Sequence, residues 1–453
     1  MGLDFDIAIL GAGVAGLTAG RILAKSGHRV AVVEARNRVG GRVFTTHVSP
    51  DRAAQAIPVE LGAEFVHGLP PETWRLLREA QLETYERDGA ALCSDGRRLQ
   101  LHDERREGGI AVLEQMKRWV AEQPAARDIS FAEYLGLLAI DTVARRRAVE
   151  YVEGFNAADS TVIGIRALAK QQQAEDEIDT DRLFYVRRGY DGVPMFLAQQ
   201  VEAAGGTILL SSIAQRIVWQ RGAVTISGVH ESGGAFTLAA KRAVISVPLG
   251  VLQAGTIEFA PTPAPVLVQA RRLRMGPVMR MTLMFRSRFW AGVDGPGVTG
   301  EVRAALERLS FLFTHGALPG TWWTPMPDTT AMITAWVAGP RVALIEDARK
   351  ATGNADAILE LSLTTLASAF GLSIGYLRQL LVSWHTHDWQ VDPYAQGAYS
   401  YAPAGAMDAS EKMAEPVEDT LFFAGEHTDT SGHWGTVHGA IRSGLRAAAQ
   451  VPL

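Results

Sequence analysis

The sequence predicts an α/β chain in which a nucleotide-type βαβ domain, assembled from both chain ends, carries an inserted α+β domain. Three observations lead there. The glycine-rich turn Gly11-Ala12-Gly13-Val14-Ala15-Gly16 sits between an apolar run and a helix-patterned segment. A strand–turn–helix pattern returns near the C-terminus, through Leu421-Phe422-Phe423, Ala424-Gly425-Glu426 and the periodic segment after Val437. Between them lies a long stretch of other patterning, and 453 residues exceed one ordinary core, so two domains are expected.

Asp6 to Leu10 reads as a short strand, followed by a helix to about Lys25, with Gly27 where a C-terminal glycine cap belongs. Val30 to Val33 reads as a second buried strand ending at Glu34. Residues from about 86 to 200 are mostly helical in pattern, and Gly189 and Gly192 break it before a helix over about 194–204. Short β-type runs follow over 207–226, 236–238 and 243–247, the last stopped by Pro248, which cannot donate to a ladder. Val437, Ala440, Ile441, Gly444, Leu445 and Ala448 then share one face of a final helix. The resulting division gives 1–85, 205–290 and 388–453 to the nucleotide-type domain. Residues 86–204 with 291–387 form the inserted, substrate-binding one.

Composition narrows the function classes. A formal charge of -5 argues against a polyanionic partner, so no nucleic acid is expected. Cys93 is the sole cysteine, which excludes an intrachain disulfide and a thiolate metal cluster. The apolar run Ile7 to Leu10 follows acids rather than a basic region, and no apolar stretch of about 20 residues is present to span a bilayer. A soluble cytoplasmic chain with no membrane partner is the expectation.

Gly11, Gly13 and Gly16 fit G-x-G-x-x-G directly after a strand and before a helix. The first glycine permits the tight turn, the second lets backbone approach a pyrophosphate, and the third lets the helix pack close to the strand. Unpaired N–H groups at the helix N-terminus then face the phosphates. Glu34, 23 residues after Gly11, ends the second strand where a carboxylate accepts ribose hydroxyls and disfavours a 2′-phosphate. A Rossmann-like dinucleotide site follows, but the fold alone does not separate NAD from FAD.

Downstream segments separate them. Glu34-Ala35-Arg36-Asn37-Arg38-Val39-Gly40-Gly41-Arg42 adds two glycines and an arginine to the fingerprint, and Glu60 to Gly68, Tyr185 to Pro194, Val247 to Leu252, Met275-Gly276 and Phe289-Trp290 follow in order. Asp388 to Tyr401, Phe423 to Thr428 and Gly435 to Ala440 close the series. In these segments the chain resembles the flavin amine oxidase family, which includes monoamine oxidases, polyamine oxidases and lysine-specific histone demethylases.

The resemblance implies non-covalent FAD, because Ala398 stands where monoamine oxidases carry the cysteine that bonds the flavin. Its cofactor contacts would come from Gly11, Gly13, Ala15, Gly16, Glu34, Ala35, Arg36, Gly40, Gly41, Arg42, Gly62, Ala63, Glu64 and Phe65. Ala214, Trp389, Tyr394, Ala398, Gly425, Glu426, Thr436 and Val437 complete that set. Glu426 matches the carboxylate at the ribityl and diphosphate region, and Thr436 with Val437 opens the last helix beneath the flavin, its positive dipole end favouring a reduced anionic ring. A hydride would pass from the carbon next to an amine nitrogen to flavin N5. The imine would hydrolyse to aldehyde or ketone, and O2 would be reduced to peroxide. Tyr399 matches the aromatic that orients the amine, Thr436 the second position of that cage, and His67 a position facing substrate. A small-molecule amine, a polyamine among others, is the expected partner, and no metal is implied. His385 and His387 have metal-like spacing, but precede Trp389 in the flavin-facing segment. The acidic run Glu175-Asp176-Glu177, with Asp179 and Asp181, reads either as a solvated loop or as an attractor for a remote ammonium.

One departure bears on the acceptor. Arg280 aligns with the family lysine that reaches N5 through a water, and arginine is bulkier and does not deprotonate. This opens the alternative of an amine dehydrogenase using another acceptor. An L-amino-acid oxidase needs an arginine for the substrate carboxylate, and Glu64-Phe65-Val66-His67 supplies none after Gly62-Ala63. A desaturase or porphyrinogen-type oxidase would lack the Tyr399 and Thr436 arrangement, and no separate module suggests a scaffold.

Overall fold

The computed structural model describes residues 4–49, 56–96, 98–103, 108–294, 298–353 and 356–452. Its first sheet has eight strands. In order they are Thr207–Leu209, Val30–Val33, Phe5–Leu10, Ala235–Ile245, Ala223–His230, Ser212–Gln220 and Glu258–Ala260, with Leu421–Phe423 as a branch on Ala235–Ile245. The long strand is the fork of this sheet. Residues 240–245 pair in parallel with Phe5–Leu10 on one side. Across the other side, residues 235–240 pair antiparallel with Ala223–His230, and 243–245 pair in parallel with Leu421–Phe423. The two chain ends therefore meet on one strand.

Burial on both faces explains why the central strands read as unbroken apolar runs. Ile7 and Ile9 point into a layer formed by the helices Val14–Lys25, Gly192–Ala203 and Val437–Gln450, while Ala8 and Leu10 point into the opposite layer with Leu249, Val266 and Met413. The first and last helices pack at glycine distance. A Cβ on Gly444 would stand 2.4 Å from the Ala15 carbonyl oxygen. Gly27 takes φ +88° just past Ser26, the cap residue of the first helix, as its position in the sequence implies. In the last helix Leu445 lies at the edge of the apolar stripe and is exposed, unlike Ile441, Gly444 and Ala448.

A second sheet of seven strands runs in the order Leu381–Thr386, Val278–Phe285, Met332–Ala338, Thr321–Trp323, Leu309–Thr314, Ala90–Ser94 and Leu99–Leu101. Helices Gly109–Glu122, Thr142–Asn156 and Ile165–Glu177 gather around Met116, Phe131, Val152 and Leu168 in a separate apolar cluster. Among the described residues no single helix is long and apolar enough to cross a membrane.

Three sequence expectations change. The stretch from about 86 to 200 contains strands at Ala90–Ser94, Leu99–Leu101 and Leu183–Val186. Ala90–Ser94 is held by parallel pairing to Leu309–Thr314, a distant partner that local periodicity does not reveal. The runs at 236–238 and 243–247 are one strand, Ala235–Ile245, and just past it the Ser246 hydroxyl donates to the carbonyls of Leu10 and Gly11. Val278–Phe285, counted with the nucleotide-type segment in the sequence, is a fully buried strand of the second sheet.

Candidate active site

The glycine turn builds a cradle that lines a cavity with backbone at Gly11 and Gly13. Gly11 has φ +103°, in the left-handed region that favours glycine. A Cβ on Gly16 would stand 2.1 Å from the Gly11 carbonyl oxygen, so the helix lies directly on the turn. Gly13 differs from both. Its φ of -71° suits any residue, and a Cβ there would meet nothing within 4 Å. It is the N-cap of the first helix, makes no side-chain cap, and the first turn carries no acid, so the N–H groups there remain for an anion.

Glu34 is buried at the end of its strand. Its Oε2 accepts the Ala12 N–H at 2.7 Å and its Oε1 the Arg36 N–H at 2.9 Å, which leaves each oxygen a second acceptor site. Burial pushes its pKa up, against the pull of those bonds and of Arg36. Arg36 forks onto Asp392 at 2.7 and 2.8 Å and lies over the Trp389 and Tyr394 rings, 5.9 and 5.3 Å from their centroids. His387 meets the same carboxylate at 2.7 Å, while His385 meets Ser383 at 3.0 Å. The two histidines with metal-like spacing thus have separate partners.

The cavity, of about 1170 Å³, runs from this cradle to the second sheet. Every residue named from the sequence as a site residue lines it except Gly16, which packs beneath the turn. Midway, Glu426 is buried. Arg42 donates to its Oε1 at 2.8 Å, and the Ser400 hydroxyl and Gly435 N–H donate to Oε2 at 2.6 and 2.9 Å. Burial alone would raise its pKa, but Arg42 and His427 hold it below the ordinary value. Glu426 therefore fixes Arg42, whose second donor bond goes to the Ala398 carbonyl at 2.7 Å.

Thr436 caps the last helix: its hydroxyl accepts the Gly439 N–H at 3.0 Å and donates to the His433 carbonyl at 2.7 Å. The cap uses the hydroxyl, so Thr436 offers the cavity a methyl group and a helix N-terminus. Beside it, a Cβ on Gly435 would press 2.9 Å from the Tyr399 ring. The Tyr399 hydroxyl is tied to the Phe155 carbonyl at 2.8 Å, so the ring cannot swing. His67 packs edge-on to Phe155 and Phe65; burial pushes it down to about 4, and its Nδ1 has no hydrogen-bond partner. It is neutral at pH 7.

Arg280 lines the cavity as named and has partners that the sequence does not show. It projects from Val278–Phe285, 3% exposed, and donates to the Gly62 carbonyl and to Glu64 Oε2, both at 2.7 Å. The Trp323 indole N–H shares that oxygen at 3.0 Å. Glu64, expected as a cofactor contact, lines the cavity and also anchors the guanidinium.

Sequence reasoning missed the aromatic wall of Phe155, Phe311, Trp323 and Trp336, and the buried pair His433–His438 at 3.0 Å beside Thr436. His438 lies in a quoted segment; the wall residues come from inserted strands and helices with no motif of their own. Glu175, Asp176, Asp179 and Asp181 line the cavity, so the acidic run is not only a solvated loop.

Residues 14–452 match the family described as flavin containing amine oxidoreductase. The chain belongs to that family. Polyamine oxidase 2 of Arabidopsis thaliana is 30% identical to this amine oxidoreductase over 98% of the chain and 87% of its own length. Lysine-specific histone demethylase 1 homolog 2 of Oryza sativa subsp. japonica is 28% identical over 99% of the chain, which spans only 57% of that relative. The fold matches a putrescine oxidase bound to putrescine, with TM-score 0.80, 20% identity and coverage of 98% of both chains. It also matches cyclohexylamine oxidase from Brevibacterium oxydans IH-35A, with TM-score 0.77, 21% identity and coverage of 99% and 98%. FAD is the cofactor of this family, and the open face of Gly13, the first-turn N–H groups and the acceptor sites of Glu34 fit its pyrophosphate and ribose.

Proposed function

We propose that this amine oxidoreductase oxidises a small aliphatic diamine or polyamine at a carbon next to nitrogen, with O2 as final acceptor. The observation that supports it is one cavity that joins an aromatic slot, around Tyr399, Phe155 and Trp323, to a wall carrying Glu175, Asp179 and Asp181. Bound FAD would supply the two-electron acceptor. The chain's own residues set the amine. The Tyr399 ring, fixed by Phe155, offers its face to nitrogen, and a neutral His67 adds no charge that would repel or replace it. An apolar slot also disfavours the ammonium form, which has no lone pair to assist loss of hydride. The imine released would hydrolyse to aldehyde and free amine, and oxygen would leave as H2O2. With Ala398 at the cavity and Cys93 on the second sheet, no thiol stands ready to bond the flavin.

Anaerobic mixing with putrescine, spermidine, benzylamine and leucine, followed by air, tests the reading. Bleaching of the flavin by the two polycations and fast recovery with peroxide is the expected result. Bleaching by leucine or by benzylamine alone would overturn the substrate class. The pinned Arg280 favours a second reading, a dehydrogenase with another acceptor, which bleaching followed by slow recovery in air would establish.

The acidic wall gives a pH test. Burial pushes Glu175 up to about 7, with its side chain held by Gln171 at 2.8 Å. It is mostly neutral below that pH and charged above it. KM for a diamine should therefore fall more steeply as pH rises through about 7 than KM for a monoamine of equal length, which follows only the deprotonation of its own amine. In Glu175→Gln the difference should vanish, with diamine KM raised roughly tenfold, the equivalent of about 1.4 kcal/mol. Parallel pH profiles for both amines in the native chain would remove Glu175 from recognition.

A further inference from the structure

We propose that Cys93, His102 and His315 form a zinc-binding site on the wall of the cavity. It is separate from the flavin cradle and does not depend on the amine reading.

Strand register brings the three together. Cys93 lies on Ala90–Ser94, paired antiparallel to Gln100 and in parallel to Phe313. His102 lies two residues past Gln100, and His315 two past Phe313. With a side-chain period of two, both histidines return to the sheet face of the residue that pairs with Cys93. Their donor atoms and the Cys93 sulfur all lie within 4.8 Å of one another. Ligand atoms around one zinc ion stand about 3.3–3.7 Å apart, given Zn–S near 2.3 Å and Zn–N near 2.0 Å. Small rotations of side chains, on the order of 1 Å, close the set.

The chemistry of the donors selects the ion. One thiolate with two imidazoles is a borderline-soft set that suits zinc and disfavours magnesium or calcium. The surroundings also resemble a metal site. His315 Nδ1 is 3.6 Å from Glu150 Oε2, and Arg147 holds that carboxylate at 2.7 Å. A carboxylate behind an imidazole orients the ring and raises its basicity. The His102 ring is packed on Phe313, 4.3 Å between centroids, which limits its rotation. Cys93 is buried, whereas His102 and His315 face the cavity. Three protein ligands and a cavity-facing fourth position describe a site open to water or to a small ligand.

The test uses the FAD-loaded chain, stripped with a chelator, incubated with micromolar zinc chloride and desalted. About one zinc per chain should remain by elemental analysis. Cobalt(II) should give a thiolate-to-cobalt charge-transfer band in the difference spectrum against the flavin background. In Cys93→Ser the band should disappear and retained zinc fall at least tenfold. His102→Ala should lower zinc similarly while keeping the flavin content of the parent, which shows that the fold survives. Retention below a tenth of an equivalent by the parent would overturn the site, as would variants that keep as much zinc as the parent. So would a Cys93 that reacts with thiol reagents as fast in the presence of zinc as in its absence, since bound metal would protect it.

Discussion

Gly13→Leu is expected to give a folded chain without flavin. The backbone at Gly13 is extended at φ -71°, and a Cβ there meets no protein atom within 4 Å, so nothing in the protein itself requires glycine. A leucine side chain would instead fill the space in front of the first-turn N–H groups, where a pyrophosphate must approach the backbone. FAD affinity should fall on the order of 100-fold or more, equivalent to about 2.7 kcal/mol. Gly16→Ala makes the contrast. Its Cβ would lie 2.1 Å from the Gly11 carbonyl oxygen and 2.4 Å from Ser246 Oγ, so the turn itself must deform. The melting temperature of Gly13→Leu should match that of the parent stripped of FAD, because only the stabilisation from bound ligand is lost. Gly16→Ala should melt below both. Flavin retained at one per chain in Gly13→Leu would place the cradle elsewhere.

That contrast also shows how much the sequence could say. The fingerprint, the two flanking strands and Glu34 are local features, written in consecutive residues, and each lies where periodicity places it. The last helix is equally local, and its role as a capped N-terminus facing the cavity follows from Thr436 and the residue types around it. The aromatic wall is different. Phe311 and Trp323 come from strands set by pairing with distant segments, and Phe155 from a helix whose sequence looks like ordinary packing. Charge partners were the least legible. Glu34 and Glu64 are both acids near a glycine motif, yet one binds backbone N–H groups and the other a guanidinium from a strand more than 200 positions on. Only the three-dimensional neighbour decides between them.

Arg280 and Glu64 should accordingly behave as one unit in a double-mutant cycle. Their side chains are 3% and 8% exposed and meet at 2.7 Å, so neither has water to fall back on. Glu64→Gln leaves the guanidinium with the Gly62 carbonyl and a neutral amide, and should destabilise the chain by about 3–5 kcal/mol. Arg280→Met leaves the carboxylate with the Trp323 indole N–H as its remaining donor and should do comparable damage. The double variant removes both charges. It should be less destabilised than the sum of the singles by about 2 kcal/mol or more, read from denaturant midpoints of the FAD-free chains. Strict additivity would mean that the pair is not formed. The cycle also separates structure from reactivity. If both the double variant and Arg280→Met keep their flavin, any shared change in the rate of recovery in air belongs to the lost positive charge. A defect confined to Arg280→Met would belong instead to the unpaired carboxylate it leaves beside Phe65, in the wall of the amine slot.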